Sequence, residues 1–243
     1  MRRRLLSSLG KRKSDVDMIV LHSVAMSLDD AVEQFKKFRV SCHYMIDEDG
    51  SIWQLTSQTK VAWHAGISKW RGMEGINSRS IGIEICSSSL GQDPFSLEQQ
   101  KSVFKLLRYL VKRYKIKPEN IVGHSDIAPM RKADPGKAFF WNDLADEGIG
   151  LWYDISDAAK VSEDDVAKLL QIIGYDIKDV MASAYAFCRR FYPEKVVSVS
   201  DVWQIEKNVY EKDEAILEDN RFREILKSVA YAYCKASRTP CNM

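Results

Sequence analysis

The chain has 243 residues, 45% of them hydrophobic and 29% charged, with a formal net charge of +2. That is long enough for one large and one small domain around a substantial core. Most of the positive excess lies in the opening MRRRLLSSLGKRK, so the body is near neutral, which argues against nucleic acid as the main ligand, since duplex binding rests on clustered phosphate contacts. The opening stretch has the positive start of a signal peptide, but LLSSLG is too short for its apolar core. No apolar run approaches the roughly 18–20 residues that cross a bilayer. Read as it stands, the chain is expected in the cytoplasm, with the periplasm as the alternative if a signal segment lies upstream. Residues 1–15 are expected to form a mobile basic tail.

The run MIVLHS (18–23) predicts a strand. Ser27 then caps a helix over SLDDAVEQFKKF, with acids in its first turn and lysines near its end, as the helix dipole favours. Apolar runs around the Asp-Glu-Asp-Gly turn in CHYMIDEDGSIWQL predict a β-hairpin. A loop spans 67–80, and SIGIEIC predicts a further strand. Ser96 and Gln99 form a capping box for a long helix whose apolar face (Val103, Leu106, Leu107, Leu110, Val111, Tyr114) is spaced to cover a sheet. IVGH predicts the next strand. Strands alternating with helices imply an α/β fold with a central mixed β-sheet flanked by helices. Beyond about residue 155 strands vanish and helical patterns dominate: SEDDVAKLLQIIG, KDVMASAYAFCRRFYP and a charged stretch over about 200–236. The expected organisation is a tail (1–15), an α/β domain (16–155), a linker at LWYDISDAAK and a small all-α domain (156–243). Five cysteines without a CxxC pair read as reduced thiols.

The chemistry centres on IVGHSDIAPMRKADPG (121–136). His124 ends an apolar strand, Asp134 is locked beside a Pro-Gly turn, and His22 ends another apolar run. Two imidazoles and a carboxylate on rigid supports suit Zn2+, and three protein ligands leave a fourth position open, as in catalytic sites. Glu84 shares a strand face with Gly82, opposite Ile81, Ile83 and Ile85. It reads either as an ion-paired or solvated surface group or as a partly desolvated general base. Lys132 reads either as a solvated lysine or as a cation stabilising an oxyanion. Trp63-His64-Ala65-Gly66 and Trp70-Arg71-Gly72 read either as loop packing or as a surface for sugars and peptides.

Together VLHS, HYMIDEDGSIWQL, AWHAG, WRG, NSRSIGIEI and VGHSDIAPMRKADPG resemble, in order, the zinc-dependent N-acetylmuramoyl-L-alanine amidases of the AmpD/AmiD branch of the peptidoglycan-recognition superfamily. The resemblance covers almost the whole α/β domain. It implies a sheet of about six strands, zinc on His22, His124 and Asp134, Glu84 as catalytic base and Lys132 beside the intermediate. It also implies that Tyr44, Trp63, His64, Arg71 and Asn77 lie along a substrate groove. The implied reaction is hydrolysis of the amide between N-acetylmuramic acid and L-alanine in peptidoglycan or muropeptides. The alternative is a muropeptide-binding or regulatory protein of the same fold. KLLQIIGY and AYAFCRRFYP resemble a three-helix peptidoglycan-binding domain, although Cys188 stands where that domain has Gln. The other reading is a helical cap on the catalytic domain.

Overall fold

The computed structural model describes residues 1–4, 10–196, 204–205 and 213–237. Its centre is a six-stranded mixed sheet. The strands are β1 (Arg2–Arg3), β2 (Met18–Val24), β3 (Tyr44–Ile46), β4 (Ile52–Gln54), β5 (Ser80–Cys86) and β6 (Ile121–Gly123), in the spatial order β1-β4-β3-β5-β2-β6. Among the described residues the β3–β4 hairpin is the antiparallel strand pair; β1–β4, β3–β5, β5–β2 and β2–β6 are parallel.

Strand alternation sorts side chains between two faces. On one face Ile81, Ile83 and Ile85 meet Leu106, Leu107 and Leu110 of α3 (Leu97–Tyr114). The Ser96–Gln99 capping box starts that helix, as the sequence predicts. The other face is divided. Near β3, helix α1 (Leu28–Phe38), capped by Ser27, packs Leu28, Ala31, Val32 and Phe35 on Met45 and Cys86. Near β6, Met18, Val20 and Val122 belong to one hydrophobic cluster with the C-terminal helices. Three further short helices are α2 (Ile76–Arg79), α4 (His124–Ile127) and α5 (Trp141–Asp146), the last burying Trp141 and Leu144 in the cluster on the α3 face.

The C-terminal helices are α6 (Val166–Ile173), α7 (Val180–Phe191) and α8 (Asn220–Ser237). Their apolar faces (Leu170, Phe187, Phe222, Leu226) are buried in the cluster that covers the sheet. The expected linker is itself packed: Leu151, Trp152 and Tyr153 lie against that cluster, and a 3-10 turn over Ile155–Lys160 contacts α8. A buried ion pair crosses the same junction. Asp126 of α4 accepts from Arg190 Nη1 of α7 (2.9 Å), from the Tyr175 hydroxyl (2.8 Å) and from the Gly123 amide (2.8 Å). Within the charged stretch read as helical over about 200–236, Glu214–Glu218 is a 3-10 turn, α8 begins at Asn220, and 206–212 lie outside the described residues.

The opening segment, expected as a mobile basic tail, makes contacts with the sheet at the residues described. Arg2 and Arg3 pair with Trp53 and Gln54, adding a strand to an edge whose backbone groups would otherwise be unpaired. Arg12 sets a half-buried guanidinium between the 58–60 loop and the start of β5. It donates to the carbonyls of Gln58, Ser78, Lys60 and Ser80 at 2.6–3.3 Å. Its charge is spread over five donors in a rigid fork, which suits it to gathering carbonyls that water cannot reach.

Candidate active site

The carboxyl ends of β2, β5 and β6 bring the chemistry together, where open α/β sheets place ligands. His22 of β2 and Glu84 of β5 are direct register partners. His124 follows β6 and opens α4. Asp134 arrives from the loop beyond α4, whose backbone is pinned by the Ser125 amide donating to the Asp134 carbonyl at 2.8 Å. Gly136, at φ 97°, lets this loop press against Leu90 and Gly91; a Cβ there would lie 2.3 Å from both of their carbonyl oxygens.

His22 Nδ1, His124 Nδ1 and Asp134 Oδ2 form a triangle with sides of 2.9, 3.0 and 3.2 Å. Both imidazoles are buried and the aspartate is 12% exposed. A tetrahedral ion with ligand bonds of about 2.0–2.1 Å holds its donors some 3.3–3.4 Å apart, so a few tenths of an ångström of spreading admits one. The protonation states suit the same occupant. Burial and the neighbouring His124 push the His22 imidazolium down to about 4, leaving it neutral. Burial opposes ionisation of Asp134, but the two imidazoles outweigh it and hold the carboxyl well below its ordinary range. The three residues bring two imidazole nitrogens and one carboxylate oxygen together, a set that could hold a divalent metal.

Glu84 Oε1 lies 4.0 Å from His22 Nδ1. Burial, then the charge of Asp134, push its carboxyl up to about 8, against the opposing pull of Lys132. The Glu84 side chain is 12% exposed, so it is not a solvated surface group. A cleft of about 930 Å³ opens over these groups. Trp63, half exposed, and Phe38 of α1 form part of its wall, with Lys132, Arg131 and Arg39 supplying positive charge. Ile205 reaches the same cleft from beyond α7, which no sequence signal announced.

The residues expected along the groove divide. Trp63, His64 and Asn77 line the cleft. Tyr44 does not: it is fully buried, pairs with Ile83 on the α3 face, and its hydroxyl accepts from the Gln58 side chain. Glu84 pairs with Met45 on the opposite face, so a one-residue offset removes Tyr44 from the site. Arg71 does not either. It donates to the Ile173 carbonyl (3.0 Å) and to Ser237 Oγ (2.7 Å), tying the loop to α6 and α8. Its neighbour Trp70 is fully buried, edge-on to Tyr175 and Tyr233, with Nε1 donating to the Glu119 carbonyl. Sequence reasoning passed over Ser80, Gly82 and the Ala65 carbonyl. The signal for Gly82 was a glycine inside a strand, which marks close approach of another group.

A family model described as N-acetylmuramoyl-L-alanine amidase matches residues 12–137. The amidase AmiD of Escherichia coli K12 is 37% identical over 190 residues, covering 68% of this chain and 69% of that protein. The 1,6-anhydro-N-acetylmuramyl-L-alanine amidase AmpD of Haemophilus influenzae is 42% identical over 106 residues, 43% of this chain and 56% of that protein. Among solved structures, E. coli AmiD in complex with anhydro-N-acetylmuramic acid-L-Ala-D-gamma-Glu-L-Lys superposes with a TM-score of 0.72 at 28% identity, covering 93% of this chain and 92% of that one. AmpDH3 of Pseudomonas aeruginosa in complex with an anhydromuramic pentapeptide gives 0.72 at 26% identity, covering 96% of each chain. Sheet, helical layer and donor triad thus meet a family match over half the sequence, and the chain belongs to the N-acetylmuramoyl-L-alanine amidases, hydrolases of the amide between N-acetylmuramic acid and L-alanine.

Proposed function

We propose that this cleft binds muropeptides and cleaves their lactyl–L-alanine amide with Zn2+ held by His22, His124 and Asp134. The observation that carries the reading is the donor triangle with Glu84 beside it: three converging electron-pair donors and a desolvated carboxyl 4.0 Å away. The anhydromuropeptides bound in the E. coli and P. aeruginosa structures support the substrate class.

When bound, the ion supplies Lewis acidity to water and to the scissile carbonyl, and its charge lowers the raised pKa of Glu84 toward neutrality. The chain's own residues do the rest. Glu84 accepts the proton of the attacking water and returns it to the leaving alanine nitrogen, so the amine departs neutral. Lys132 places its ammonium in the cleft, where it opposes the negative charge that develops on the carbonyl oxygen. Trp63 offers an exposed ring at the mouth, a flat apolar face for a sugar.

The test is Glu84→Gln, which keeps shape and removes the base. Turnover of anhydro-N-acetylmuramyl peptides is expected to fall by about 10²–10⁴, the usual worth of a general base, with zinc still bound. Retained turnover removes Glu84 from this role. Loss of zinc in the variant would make Glu84 part of the metal's support instead. A chelator should abolish activity and added zinc should restore it.

A further inference from the structure

The cleft residues His64 and Asn77 make contacts that a role in gripping substrate does not need. We propose that the His64–Ala65 segment is the positioning element for both histidine ligands, fixing the tautomer of His22 through the His64 imidazole and that of His124 through the Ala65 carbonyl. The proposal rests on metal binding at the triad.

The argument starts from carbonyls, which only accept. Ser80 Oγ lies 2.7 Å from the Ile76 carbonyl and must donate to it. Its lone pairs then face His64 Nε2 at 3.1 Å, so that nitrogen carries the proton. A neutral imidazole has one N–H, and with it on Nε2 the Nδ1 of His64 is the bare acceptor. His64 Nδ1 lies 3.0 Å from His22 Nε2, which therefore holds the donated proton. The consequence is a bare Nδ1 on His22, aimed at the triad. On the other side, the Ala65 carbonyl lies 3.3 Å from His124 Nε2, which places a proton there and leaves His124 Nδ1 bare. Two lone pairs then face each other at 2.9 Å beside a carboxylate oxygen, an arrangement that repels itself without a cation.

The segment that performs both tasks is itself fixed. Asn77 Oδ1 accepts from the His64 amide (2.9 Å) and the Ala65 amide (2.8 Å). The His64 ring lies flat against β5 at Gly82, where an added Cβ would sit 2.4–2.6 Å from ring atoms. A side chain at 82 would displace the ring without removing it. This explains a glycine in mid-strand, which otherwise only weakens a sheet.

The experiment measures zinc affinity of the full chain by competition with a chromophoric chelator, for the unaltered protein and for His64→Phe, Gly82→Ala, Asn77→Leu and Asn77→Asp. Loss of such outer contacts typically weakens metal binding by about 10–100-fold. His64→Phe, Gly82→Ala and Asn77→Leu should all show it, while Asn77→Asp, which keeps the acceptor oxygen, should retain binding. Imidazole 15N spectra of the zinc-loaded chain should show His22 protonated at Nε2. That signal should be lost or exchange rapidly in His64→Phe. Circular dichroism of each metal-free variant separates affinity loss from unfolding, and Gly82→Ala remains informative if His64→Phe does not fold. Unchanged zinc affinity in His64→Phe with a raised KM would overturn the proposal and return His64 to the substrate groove. So would His22 protonated at Nδ1. If the unaltered chain binds no zinc, the metal reading beneath the proposal fails first.

Discussion

Two neighbouring motifs, Trp63-His64-Ala65-Gly66 and Trp70-Arg71-Gly72, carry nearly the same ingredients and end in opposite places. In the first, the tryptophan is 46% exposed at the mouth of the cleft and the imidazole abuts a candidate ligand. In the second, the tryptophan is fully buried and the guanidinium grips α6 and α8. An aromatic ring beside a cation therefore does not by itself mark a sugar-binding surface. What covers the motif decides: solvent in one case, a helical layer in the other.

The sharpest way to break this contrast is Trp70→Ala. Emptying a site between Tyr175 and Tyr233 should cost about 3–5 kcal/mol, seen as a lowered denaturant midpoint. A small loss there would mean the helical layer is not anchored on this ring. Next comes Arg71→Met, which strips the Ile173 carbonyl of its donor. We expect a loss of about 1–3 kcal/mol with KM unchanged, whereas a raised KM at constant stability would put Arg71 back beside the substrate.

Acid should also tell the two motifs apart, because imidazoles titrate and guanidinium does not. In the metal-free chain burial lowers His22 to about 4 and His43 to about 3, and lowers His64 as well. A depressed pKa contributes stability above the unfolded value of 6.5 that is lost as pH falls through the folded one. His22 and His43 should therefore each remove about 1 kcal/mol between pH 6.5 and 5.5, with His64 acting in the same direction. The raised pKa of Glu84 works the other way, its contribution growing as pH falls below about 8, so the net loss is smaller than the histidine sum. Urea titrations of chelated protein across this range check it; a flat profile would show that the imidazoles are already protonated or solvated. The smallest effect is expected from Trp63→Ala: stability within about 0.5 kcal/mol and a raised KM for muropeptides. Destabilisation by this exposed residue would erase the contrast.

Much of this was legible because it is local or periodic. Ser27 and the Ser96–Gln99 box start the helices they promised, and the isoleucines of SIGIEI face α3 with Glu84 turned away. His22 and His124, read at strand ends, and Asp134, read on a Pro-Gly turn, come within ligand reach of one another. What escaped was set by partners distant in sequence. The helical faces of α6, α7 and α8 announce that they cover something, but not that it is Met18, Val20 and Val122. Tyr44 sits beside His43 in a motif, yet strand alternation sends it through the sheet. The Ala65 carbonyl has no signature, since any residue supplies one.

Arg12 carries a last implication. Leading residues are ordinarily the part of a chain that can be shortened without harm. Here the guanidinium collects four main-chain oxygens, one of them from Ser80, whose hydroxyl serves His64. Clipping the polypeptide before Val16 would strand those oxygens and unlatch the floor under the imidazoles, so damage at the extreme front would surface as a fault in the hydrolytic centre.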